Sequence, residues 1–165
     1  MELVLVRHAI AHERDVRRWP DDDTRPLSAR GEMRAQQACR GLRRLMPPPL
    51  RLFTSPLARA RQTAVLLARC AGWPRPVLCD ELRPGTAPAE VFALLRRAAP
   101  RVALVGHEPD LGELLAVCLS TRTPLAFKKM AVARVSFHGS VRAGAAQLLD
   151  FLPPRVLRAA APHRH

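Results

Sequence analysis

Leu3-Val4-Leu5-Val6-Arg7-His8-Ala9 is an apolar run of strand length that breaks off in arginine and histidine. A buried strand delivers whatever follows it to a fixed point at its carboxyl end, and in open α/β sheets that edge is where ligands bind. Arginine there offers a rigid fork suited to phosphate. The adjacent histidine is able to serve as base, metal ligand or nucleophile. Taken alone, the heptad is equally a strand that happens to finish in two polar residues. The rest of the chain has to decide.

Outward from this strand, short apolar runs alternate with longer helical stretches. Residues 2–6 form the first strand, and residues 10–26, polar and rich in aspartate, a long loop. Ser28 is a good N-cap for a helix over 29–45, which Pro47-Pro48-Pro49 ends. A second strand spans 50–54. Pro56 suits the first turn of a helix that runs to Ala71 and closes at Gly72. A short strand covers 77–79 and a loop 80–88, after which Pro88 opens a helix to about Ala99. The strand 101–106, a helix over 109–119, a loop over 120–130 and a strand pair at 132–137 and 145–151 complete the pattern. Such alternation predicts an α/β fold: a mainly parallel central sheet covered on both faces, hence three layers. A single domain over 1–152 is expected, followed by a disordered tail over 153–165, which is rich in Pro, Ala and Arg.

With 165 residues the chain has room for one domain with a substantial core. Glu2 and Arg7 interrupt the first apolar stretch, which reads against a signal peptide, and no apolar run reaches membrane-span length. The expectation is a cytoplasmic monomer that engages no membrane. Cys39, Cys70, Cys79 and Cys118 form no C-x-x-C pair, so reduced thiols and no metal site are expected. The net charge of +13 raises the possibility of a nucleic-acid partner. Against it, the arginines are scattered and only 4% of residues are aromatic, a poor supply of stacking platforms for bases. Only Lys128 and Lys129 are lysine among the 27 basic residues, a skew that fits GC-rich coding. No nucleic-acid role is expected.

Three strand ends carry complementary chemistry. The first ends in Arg7-His8. The second ends in Thr54-Ser55, with Arg59 in the first turn of the helix beyond. The strand 101–106 ends in Gly106-His107. Parallel strands place their carboxyl ends on one edge, so these groups converge on the needs of a phosphate: fixed positive charge from Arg7 and Arg59 and donors from two histidines. The helix N-terminus near Arg59 favours an anion as well. Gln62 and Thr63 share the face of Arg59, as supports of the site or as packed or solvated residues. Arg61 reads as a solvated helix residue.

The stretches Leu-Val-Arg-His-Ala, Arg25-Pro26-Leu27-Ser28-x-x-Gly31, Ser55-Pro56-x-x-Arg59-Ala60-x-Gln62-Thr63 and Val105-Gly106-His107-x-Pro109 resemble the histidine phosphatase superfamily. Their order and spacing are most similar to its small SixA-type phosphohistidine phosphatases, over residues 3 to about 151. Ala9 departs from the glycine that commonly follows Arg-His there. The resemblance implies a phosphoglycerate mutase-like fold and a phosphatase without cofactor or metal. It implies His8 as the nucleophile that receives the phosphoryl group, with Arg7, Arg59 and His107 holding its oxygens. Glu81 falls where many members carry a proton donor, and is otherwise a plain loop carboxylate. Arg25 either reaches the phosphate or substrate or supports the helix start, and Ser55 is a further substrate-binding candidate. The expected substrate is a phosphohistidine on a protein, which suits a short chain with little sequence for a lid. The alternatives are a small phosphoester and, in a different class, a non-catalytic basic module that only recognises phosphate.

Overall fold

The computed structural model describes residues 1–162. Among them, strands β1 (Glu2–Arg7), β2 (Arg51–Thr54), β3 (Pro76–Leu78), β4 (Arg101–Gly106), β5 (Val132–Phe137) and β6 (Ala146–Leu152) form one sheet. Helices α1 (Ala29–Leu45), α2 (Ala58–Ala71), α3 (Pro88–Leu95), α4 (Asp110–Leu119) and α5 (Pro154–Ala159) cover it. The strand order is β3-β2-β4-β1-β5-β6. β1 pairs in parallel with β4, from Glu2 opposite Arg101 to Arg7 opposite Gly106. β2 lies parallel to both β4 and β3. Only β5 runs against the others, antiparallel to β1 and β6.

Successive side chains of β1 face opposite layers, which is why its apolar run is unbroken. Val4 and Val6 join Leu52, Ala103 and Val105 under the small residues of α1 and α2. Leu3 and Leu5 join Val102 and Leu104 under Val91, Phe92 and Leu95 of α3 and Leu111, Leu114 and Leu115 of α4. The result is a three-layer α/β/α sandwich, as the sequence pattern predicts. No helix among the described residues is long and apolar enough to cross a membrane.

Local signals set most boundaries. Ser28 caps α1 by accepting the Gly31 N–H at 3.0 Å. Gly31 is required by packing: a Cβ there would collide with the Ile10 carbonyl, so the helix start docks on the chain just beyond His8. α2 ends at Gly72 in the left-handed conformation, φ 73°. α3 is shorter than the sequence reading. After Leu95 the chain tightens, with Arg97 and Ala98 donating to the carbonyls of Leu94 and Leu95. Proline at position 100 disfavours helical geometry for the residue before it.

The expected disorder from Pro153 onward needs correction. Pro154 opens α5 at its first turn, and Leu157 is fully buried among the side chains under α1. The Leu157 carbonyl lies where a Cβ on Gly41 would be, so the lack of a side chain at Gly41 admits α5. One leucine matched to one glycine outweighs a disorder-prone composition. Residues 163–165 of that expected tail lie outside the described residues.

Candidate active site

The carboxyl ends of β1, β2 and β4 carry Arg7-His8, Ser55 and His107 to one edge. The His8 and His107 rings stand 5.2 Å apart, tilted by 54°. Both are buried, as is Arg59. His8 Nδ1 lies 2.7 Å from the Ala9 carbonyl oxygen. A carbonyl only accepts, so Nδ1 carries the hydrogen and Nε2 keeps its lone pair. Burial pushes His8 down to about 3, and the positive charges of Arg59 and Arg7 push the same way. His107 is pushed down to about 4, by burial first and then by Arg59 and Arg7. Both rings are therefore neutral at pH 7.

Arg7 and Arg59 are anchored alike. Arg7 Nη1 donates to the Phe127 carbonyl at 2.6 Å, and Arg59 Nη1 to the Asp22 carbonyl at 2.9 Å. The Asp22 carboxylate adds an ion pair to Arg59 at 3.2 Å. In each guanidinium Nε is buried without a hydrogen-bond partner, and so is His107 Nδ1. Buried polar atoms are normally satisfied, so three such donors or acceptors at one site mark a cradle for a polar group. Burial lowers the pKa of both arginines, and the nearby acids Glu108 for Arg7 and Asp22 for Arg59 oppose it. Both remain cations, since arginine starts so high.

Supporting bonds fix these side chains. Ala9 N–H donates to Thr63 Oγ1 at 2.9 Å, and Thr63 Oγ1 donates to the Arg59 carbonyl at 2.7 Å, which ties β1 to α2. Gln62 Oε1 accepts the Leu27 N–H at 2.7 Å. Thr63 and Gln62 thus hold the chain around the site.

The remaining sequence candidates sit close by with other partners. Ser55 Oγ lies 2.9 Å from His107 Nε2 and accepts the Leu57 N–H, so it orients the histidine. Arg25 donates to Asp22 through Nε at 2.8 Å and to the His12 carbonyl through Nη1 at 2.6 Å. It organises the loop that carries Asp22. Glu81 lines a cleft with His107, yet its carboxylate accepts the Cys79 thiol at 3.0 Å, which lowers its pKa. A carboxylate held ionised is poorly suited to give up a proton.

Two residues were not singled out from sequence. Asp22 bridges Arg25 and Arg59 from the aspartate-rich loop. Lys129 sits in the turn before β5, within the electrostatic reach of Arg7, Arg25 and Arg59. The pairing of the only two lysines was the available signal. Among the described residues no group of three His, Cys, Asp or Glu side chains is placed to hold a metal ion.

Residues 3–83 match the sequence model of the histidine phosphatase superfamily (branch 1). An uncharacterised protein of Picosynechococcus sp. is 41% identical over 117 residues, spanning 68% of this chain and 70% of its own length. The solved structure of the protein histidine phosphatase SixA complexed with tungstate superposes with a TM-score of 0.83 at 25% identity, over 95% of this chain and 99% of its own. A SixA phosphohistidine phosphatase candidate from Agrobacterium tumefaciens shares the fold, with a TM-score of 0.74 at 24% identity over 93% of this chain and 97% of its own.

Proposed function

Since the chain belongs to the histidine phosphatase superfamily, we propose that it is a phosphatase for phosphohistidine on a protein, acting through a covalent intermediate on His8. The observation that carries this reading is the pair of guanidiniums anchored through Nη1, with Nε unpartnered beside a neutral His8. A guanidinium held by Nη1 offers its other edge as a two-pronged donor, the geometry a phosphoryl group accepts.

His8 Nε2 attacks phosphorus. The P–N bond to the substrate imidazole breaks, and that nitrogen keeps the electron pair and takes a proton from solvent. The new bond makes the His8 ring cationic, and the Ala9 carbonyl on its Nδ1–H stabilises that charge. Water then attacks phosphorus, the P–N bond to His8 breaks, inorganic phosphate leaves and neutral His8 returns. Arg7, Arg59 and His107 stabilise charge on the equatorial oxygens, the main requirement of phosphoryl transfer. An imidazole is a better leaving group than an alkoxide, so the ionised Glu81 is no obstacle. The likeness to the SixA complex with tungstate, a tetrahedral oxyanion like phosphate, supports the oxyanion cradle.

The test is turnover of a histidine-phosphorylated protein and of small phosphoesters, with EDTA present and rapid acid-free quenching. The expected result is hydrolysis, preferring the phosphohistidine protein, unaffected by chelation, with ³²P trapped on the enzyme. Activity lost in EDTA and restored by a divalent ion would overturn the mechanism. Preference for a small phosphoester would overturn the substrate class.

A further inference from the structure

The turn before β5 is fastened to the nucleophile's strand on both sides of one residue. Arg7 Nη1 donates to the Phe127 carbonyl at 2.6 Å. Met130 N–H donates to the carbonyls of Arg7 at 3.1 Å and His8 at 3.3 Å. Ala131 N–H closes the turn on the Lys128 carbonyl at 2.7 Å. Met130 holds the left-handed conformation, φ 70°, which a non-glycine residue adopts only where its surroundings demand it. Phe127 and Met130 are buried, and Lys129 between them is exposed. The turn therefore sets the Lys129 stem at the rim of the site, beside the end of β1.

The charge around that rim is unbalanced. Asp22 already answers Arg25 and Arg59. Asp23 and Asp80 are paired with Arg83. Among the described residues no carboxylate forms an ion pair with Lys129. Partial burial and then Arg7, Arg25 and Arg59 lower its pKa, against a smaller opposing pull from Glu13. A cation placed against three others is unfavourable until an anion arrives. The phosphoryl dianion is already matched by Arg7 and Arg59, which leaves Lys129 for a second negative group. Lysine is the better residue for such a group, because a mobile point charge follows a carboxylate whose position varies, whereas the rigid arginine fork suits phosphate. In a chain whose basic residues are otherwise all arginine, lysine stands only at 128 and 129.

We infer that Lys129 is a specificity-determining residue that binds a carboxylate flanking the phosphorylated residue of an acidic protein segment. The inference rests on the reading of the protein as a phosphohistidine phosphatase. It adds which phosphorylated segments are preferred.

The experiment compares two histidine-phosphorylated peptides, identical except for Asp or Asn on both sides of the phosphohistidine. The wild-type protein is expected to prefer the Asp peptide about fivefold in kcat/KM, through KM, the size of one exposed ion pair. This preference shrinks as salt rises. Lys129→Gln brings the ratio to about one, and Lys129→Arg keeps most of it. An unchanged ratio in Lys129→Gln overturns the inference. So does an equal loss on both peptides, which would put Lys129 on the phosphoryl group itself. If the wild type hydrolyses neither peptide but does hydrolyse p-nitrophenyl phosphate, the phosphohistidine reading fails and takes this inference with it. If both peptides turn over at equal rates, the inference alone fails.

Discussion

His8 Nδ1 lies 2.7 Å from the carbonyl oxygen of Ala9, the next residue along the chain. The protein's backbone thus selects the tautomer of the histidine that we propose as nucleophile. Nitrogen-15 spectra at pH 7 should show a neutral His8 ring with hydrogen on Nδ1. His8→Ala should lower kcat by about 10³-fold or more and remove the trapped ³²P label. His107→Ala should lose rate yet still trap label. Label on the His8→Ala protein but not on His107→Ala would reverse the assignment of the two histidines.

In the proposed mechanism Arg59 acts by charge and shape. Arg59→Ala should reduce kcat/KM by about 10²–10³-fold, with residual turnover still passing through labelled His8. Arg59→Lys should recover little of this, because lysine lacks the fork whose Nη1 rests on the Asp22 carbonyl. Full activity in the lysine variant would show that charge alone suffices.

Acid should loosen the fold in a defined window. His8 and His107 sit at about 3 and about 4 in the folded protein, against about 6.5 in an unfolded chain. Between those limits the unfolded state binds more protons, so the two histidines' contribution to stability falls as pH drops below about 6.5, and that part of the loss levels off near pH 3–4. Each histidine contributes at most about 1.4 kcal/mol per pH unit. Denaturant midpoints at pH 7, 5.5 and 4.5 should fall more steeply for the wild type than for a His8→Asn, His107→Asn double variant. Parallel curves would refute the burial of two neutral rings.

Gly31→Ala should destabilise the protein by about 1–3 kcal/mol, because the added carbon meets the Ile10 carbonyl and the helix start must retreat. Ile10 lies two residues beyond His8, so activity should fall as well. A thermal melt with a turnover assay reads both effects.

Element types were legible from sequence where local chemistry sets them. The Ser28 cap, Gly72 and the apolar runs of β4 and β5 mark real boundaries. Strand order was not legible, because pairing joins residues about a hundred positions apart. At the site, Arg7, His8, Arg59 and His107 are named by strand ends and the family resemblance, and the structure gathers them. Ser55, Arg25 and Glu81 were named as well, but their partners depend on side-chain geometry that spacing does not encode. Asp22 escaped notice because its role rests on a side-chain ion pair with Arg59, distant in sequence, and Lys129 because backbone bonds place it. Met130 N–H on the Arg7 carbonyl positions Lys129 whatever side chain Met130 carries.

The parallel register of β1 on β4, with Arg7 opposite Gly106, also dictates when this machinery comes into being. The two histidines belong to the first and fourth strands to leave the ribosome. Their 5.2 Å approach requires β4 seated between β1 and β2, a pairing between residues far apart in sequence and so slow to close. A nascent or truncated chain that stops before Arg101 carries a reactive-looking Arg-His pair with no partner histidine. On the proposed mechanism, turnover during refolding should begin no earlier than the meeting of these central strands.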